Sequence, residues 1–139
     1  MPESAPTPTA ADPAWQGQPR LFALRGATSV EANERDAILS RTVELLQAMM
    51  ERNGLTPDDL VSAIFTVTSD LDAEFPAVAA RQIGFENVPL ICTREIPVPG
   101  SLPLAVRVMI HTYAPADHQP RHVYLHEARA LRADLESAQ

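Results

Sequence analysis

The sequence contains no lysine; all eleven of its basic residues are arginine. That absence excludes Schiff-base chemistry, a pyridoxal-phosphate lysine and a Walker A phosphate loop, since each needs a lysine ammonium. What remains for anions is guanidinium, which is always charged and forks onto carboxylates. Cysteine is nearly absent too. Cys92 stands alone, so no intrachain disulfide can form, and a reducing compartment, the cytoplasm, is the expected home. No stretch approaches the ~20 apolar residues of a membrane span. Net positive charge is also missing, at -7 with a pI near 4.9. A duplex nucleic-acid binder needs basic residues to displace counterions, so that class is excluded and no nucleic-acid or membrane partner is expected.

What is present suits one compact unit. The 139 residues are 45% hydrophobic and 21% charged, enough for a single buried core and too short for two ordinary domains. The first twenty residues hold five of the thirteen prolines and no apolar run. They read as a disordered extension, residues 1–20, without the basic start and apolar stretch of a secretory signal. No internal repeat is visible.

Order begins at Leu21. Leu21 to Gly26 predicts a short strand stopped by the glycine. Asn33 is placed to cap a helix, with Glu34 and Asp36 in its positive first turn. Ile38, Thr42, Leu45, Leu46 and Met49 recur at helical spacing, and Asn53-Gly54 ends the run. Thr56-Pro57-Asp58-Asp59 predicts about one further turn. Ile64 to Thr68 is β-branched and aromatic, hence a strand. Pro76 to Gln82 predicts a short helix closed near Gly84. Val88 to Thr93 reads as a strand, Pro97 to Ser101 as a loop. Val106 to Tyr113 is again a strand, with Val106, Val108 and Ile110 on one face and Arg107, Met109 and His111 on the other. The expected fold class is α/β (α+β), a mixed β-sheet with helices on one face. A domain of ~120 ordered residues buries only about two-thirds of its surface, so oligomerisation is an expected supplement.

Four arginines sit where structure alone does not require them: Arg25 at a strand end, Arg81 in the short helix, Arg107 within a strand and Arg132 in the C-terminal segment. Each alone reads as a surface arginine or an ion pair; together, in an acidic protein, they point to a small anionic ligand. His118, His122 and His126 are spaced i, i+4, i+8, which on a helix would make a metal-binding stripe, but Pro120 interrupts it and surface histidines are the default. Cys92 has no basic partner to make a thiolate and reads as a buried or site-lining thiol. Asp70, Asp72 and Glu74 lack a calcium-loop spacing and read as solvated charge. The residues alone therefore define a soluble α/β domain with a possible arginine-lined anion site.

Several blocks, read in order, resemble the trimeric pseudo-α/β-barrel class of chorismate mutase. They are Arg25-Gly26-Ala27-Thr28 with Val30-Glu31; Asp70-Leu71 followed by Phe75-Pro76-Ala77 and Arg81; Val88-Pro89 with Cys92 and Glu95; Val98 to Leu102 leading to Arg107-Val108-Met109; and Arg121 to Leu125 followed by Ala128, Leu131-Arg132 and Asp134-Leu135. The resemblance implies a chorismate mutase domain over residues 21–135, leaving 136–139 as a C-terminal tail. It implies three subunits forming the barrel, and the conversion of chorismate to prephenate in phenylalanine and tyrosine biosynthesis, with no cofactor and no metal. By position, Arg107 would hold the ether oxygen and the enolpyruvyl carboxylate, and Arg25 and Tyr124 would bind that carboxylate. Glu95 with Cys92 would take the ring hydroxyl, Glu95 also stabilising positive charge on the ring. Phe75, Ala77 and Arg81 would arrive from the adjacent subunit, and Leu131 and Arg132 from a tail closing over the site. Where the family often has a lysine after Phe-Pro-Ala, this chain has Val78, which removes a charge near the entrance. An enamine/imine deaminase-like trimer and a noncatalytic trimer binding a carboxylate metabolite are the alternatives.

Overall fold

The computed structural model describes residues 18–131. Residues 1–17 of the expected extension, Arg132 and the expected 136–139 tail lie outside the described residues. Five strands form one sheet: β1 (Pro19–Ser29), β2 (Leu60–Val67), β3 (Leu90–Arg94), β4 (Ala105–Pro115) and β5 (Val123–Tyr124). Two helices accompany them, α1 (Arg35–Asn53) and α2 (Pro76–Gln82), with short 3-10 turns at Pro57–Asp59 and His126–Arg129. The strand order is β3-β2-β4-β1-β5. β4 runs antiparallel to both β1 and β2, while β3 and β5 pair in parallel at the two edges. The sheet is mixed, as expected.

The helices cover one face. Leu24, Ala63, Phe65, Val106, Val108 and Ile110 of the sheet pack with Ile38, Leu45, Leu46 and Met49 of α1 and Ala80 of α2. Helical spacing in the sequence thus coincides with the stripe that faces the sheet. Gly54 ends α1 in the left-handed region at φ 64, a conformation that favours glycine.

β1 differs from its expectation at both ends. It starts at Pro19, inside the expected extension, and continues through Gly26 to Ser29. Gly26 does not stop the strand; it admits the helix. A Cβ built there would lie 2.3 Å from Met49 Sδ and 3.2 Å from Leu45 Cδ1. Asn33 also has a different task. The N-cap is Glu34, without a side-chain capping bond. Asn33 Oδ1 instead accepts the N–H groups of Asp72 and Ala73, and its Nδ2 donates to Asp72 Oδ1. The acidic loop is likewise structural, not merely solvated: Asp70 Oδ2 accepts the Leu104 N–H at 3.0 Å, and Glu74 Oε1 meets Arg35 Nε at 2.8 Å. Long-range partners override the local cap and loop signals because each of these groups fixes a different segment.

Candidate active site

The sheet face opposite the helices is open. Strand alternation puts Arg107, Met109 and His111 of β4 on it, with Ile64 and Thr66 of β2 alongside and Arg25 of β1 opposite Met109. β5 places Tyr124 opposite Ala27. These side chains, with the Gly100-Ser101-Leu102 loop and Leu131, line a cavity of about 1030 Å³. Two arginines and no carboxylate lie in this lining, among the described residues. The remaining lining is largely apolar, so the cavity suits a small ligand with carboxylates on a hydrophobic frame.

Arg107 is held from one side. Its Nε lies 3.0 Å from Glu95 Oε2, with 42% of the Arg107 side chain exposed and only 15% of Glu95. Glu95 Oε2 also accepts the Thr66 hydroxyl at 2.6 Å. The Nε is buried and makes no aligned hydrogen bond, so the contact with Glu95 is a close ion pair whose N–H points off axis. A half-buried ion pair keeps more of its Coulomb attraction than one in open water. Thr66 fixes the carboxylate, the carboxylate fixes the guanidinium, and the exposed part of Arg107 faces the cavity. Thr66 is missing from the sequence reading. Its signal was its place opposite Arg107 in the β2–β4 register, which only the pairing reveals.

The expected site residues fall into two groups. Arg25, Arg107, Tyr124 and Leu131 line the large cavity, and Glu95 joins them through Arg107. Phe75 and Cys92 line a separate hollow of about 420 Å³. The Cys92 thiol meets the Ala77 backbone N–H and feels the Arg81 guanidinium. Cys92 therefore keeps company with Phe75, Ala77 and Arg81 and not, as expected, with Glu95. The reason is parity: residues three apart on an extended chain point to opposite faces, and Cys92 packs towards the core. Burial pushes its thiol pKa up, against smaller opposing effects of the Ala77 N–H and Arg81. It stays a thiol at neutral pH.

The three spaced histidines part ways because the segment carrying them is not a helix. His118 Nε2 lies 3.1 Å from Asn53 Oδ1, His126 Nε2 lies 2.8 Å from Glu44 Oε1, and His122 Nδ1 accepts the Arg25 backbone N–H at 3.0 Å. Asn53, legible in sequence only as a helix end, is a buried clamp. It accepts the Arg121 N–H and donates to the Arg121 carbonyl, both at 2.9 Å. This seats the chain just ahead of Tyr124.

An α+β domain with one face of its sheet given to helices and the other to a cavity lined by two arginines is the framework of a protein suited to a small carboxylate-bearing molecule. The chain belongs to the chorismate mutase type I family, whose model matches residues 21–135. It is 54% identical over 119 residues to chorismate mutase AroH of Thermus thermophilus, covering 84% of this chain and 97% of that protein. Chorismate mutase AroH of Bacillus subtilis is 43% identical over 115 residues, covering 81% of this chain and 90% of that protein. A solved chorismate mutase from Clostridium thermocellum superposes with a TM-score of 0.74 at 49% identity, over 78% of this chain and 98% of that one.

Proposed function

We propose that this chain rearranges chorismate to prephenate at the open face of its sheet, with Arg107 as the principal catalytic residue. The observation that carries the reading is the Thr66–Glu95–Arg107 relay, which holds one guanidinium at the edge of a cavity shared with Arg25 and Tyr124. In the rearrangement the ether C–O bond breaks as a C–C bond forms, and no atom or proton leaves or enters. Negative charge grows on the ether oxygen in the transition state. A fixed cation there binds the transition state more tightly than the substrate, which is the condition for catalysis. Arg25 and Tyr124 hold a carboxylate in both states, Glu95 supports the ring side, and Leu131 closes the top. The activity belongs to aromatic amino acid biosynthesis, and the lone cysteine suits a reducing cytoplasm.

The working unit we propose is a homotrimer with shared sites. Phe75, Ala77, Arg81 and Cys92 lie apart from the large cavity of their own chain, so a site that needs both groups has to join two chains. Apolar side chains support the assembly: Phe75 is 66% exposed, Ile91 60% and Ile96 81%. Head-to-tail contacts that close into a ring bring one chain's open face to a different face of its neighbour. The test is direct. Purified protein should remove the absorbance of chorismate and yield prephenate; a protein that binds chorismate and leaves it intact would refute the catalytic reading and favour a carboxylate-binding trimer.

A further inference from the structure

β5 has two residues, Val123 and Tyr124, paired in parallel with Gly26 and Ala27 of β1. Just past its end the Leu125 N–H donates to the Ala27 carbonyl at 2.9 Å. Just ahead of it the bond to β1 is made by a side chain. His122, just ahead of β5, accepts the Arg25 N–H on Nδ1 at 3.0 Å, where a longer strand would offer a backbone carbonyl. Tyr124 stands between the His122 and Leu125 bonds, and Arg25 is itself one end of the first.

We infer that His122 is a positioning residue which, through Nδ1, sets Arg25 and Tyr124 relative to one another as a carboxylate-binding pair. This rests on the function proposed above. An imidazole that accepts on Nδ1 is neutral and carries its proton on Nε2. The surroundings favour that form. Burial lowers the pKa of His122, and the Arg25 guanidinium adds to the effect. α1 meets this segment through Asn53, an uncharged amide, and through Glu44, which is taken up by His126. Protonation would set a ring N–H against the Arg25 N–H and remove the tie.

The test compares wild type, His122→Ala and His122→Asn at pH 7.5. Loss of one hydrogen bond predicts a KM about three- to tenfold higher for His122→Ala, with kcat changed less than about twofold because the carboxylate contact is made in ground and transition states alike. His122→Asn places an oxygen near the Nδ1 position and should recover most of the KM. The Arg25 amide should lose protection from hydrogen exchange in the alanine variant and regain it in the asparagine variant. An unchanged KM in His122→Ala, or no recovery in a His122→Asn protein that melts like wild type, overturns the inference. Should the alanine variant fail to fold, nitrogen shifts of the wild-type ring decide: a charged ring, or a proton on Nδ1, overturns it. If wild type leaves chorismate intact, the function is wrong, and Arg25 amide protection still tests the tie.

Discussion

The two faces of β4 divide the work of the molecule residue by residue. Val106, Val108 and Ile110 are at most 3% exposed and belong to the core. Arg107, Met109 and His111 alternate with them, half-buried at the cavity. One strand thus carries the core on even positions and lines the cavity on odd ones, separated only by the direction of a Cβ. The lesson is that neighbours in sequence should fail in different assays. Core-face changes should lower melting temperature and leave the turnover of surviving folded molecules, while open-face changes should do the reverse.

The sharpest way to break that division is Arg107→Lys. It keeps the charge, but an ammonium cannot fork between a carboxylate and an ether oxygen. Turnover should fall by on the order of a hundredfold to a thousandfold with the melting temperature nearly unchanged; near-normal turnover would remove Arg107 from its assigned role. On the other face, Phe65→Ala should cost about 3–5 kcal/mol of stability, measured by denaturant unfolding, while kcat per folded molecule stays close to wild type. A third measurement asks whether the open face is completed by a neighbour. Arg107→Ala and Ala77→Trp should each be inactive yet trimeric by light scattering. Refolded together in equal amounts, they should regain activity at about a quarter of the sites, the share in which an intact Arg107 side meets an intact Ala77 side. Verified mixed trimers without activity would exclude a shared site. Arg25→Ala is milder. It should chiefly raise KM, by roughly tenfold, since its carboxylate contact does not strengthen at the transition state.

The smallest effect is one of pH. The rearrangement moves no proton, so kcat should be flat around neutrality. Stability should not be. His122 has a folded pKa lowered from its ordinary 6.5, so the unfolded chain takes up the proton first as pH falls. The stability tied to the neutral ring is therefore complete above about pH 6.5 and drains as pH drops through the lower folded value. Unfolding curves of wild type and His122→Asn should diverge below pH 6.5 and coincide above it.

Legibility followed the range of the interaction. α1, α2 and the alternation of β4 were readable because periodicity and the Gly54 terminus of α1 are local, and α2 has the predicted bounds, Pro76–Gln82. β5 was not, because two residues carry no period and the bonds flanking it run to Arg25 and Ala27, far away in sequence. Gly26 resembles a strand stop locally, but its reason is Met49, a partner on another element. The family blocks supplied the names of the cavity residues. They could not show that the Thr66 hydroxyl bonds Glu95, nor that Cys92 faces away from it, since both depend on strand pairing and parity.

The Thr66–Glu95–Arg107 relay lies wholly within one chain, and this has a consequence for dilution. The relay that sets Arg107 is complete when a single chain has folded; in the proposed trimer a neighbour adds a wall and the Arg81 guanidinium. At concentrations low enough to dissociate the assembly, catalysis should vanish while weak affinity for dicarboxylates persists on isolated chains. The placing of Arg107 is then a property of the fold, and enclosure a property of concentration.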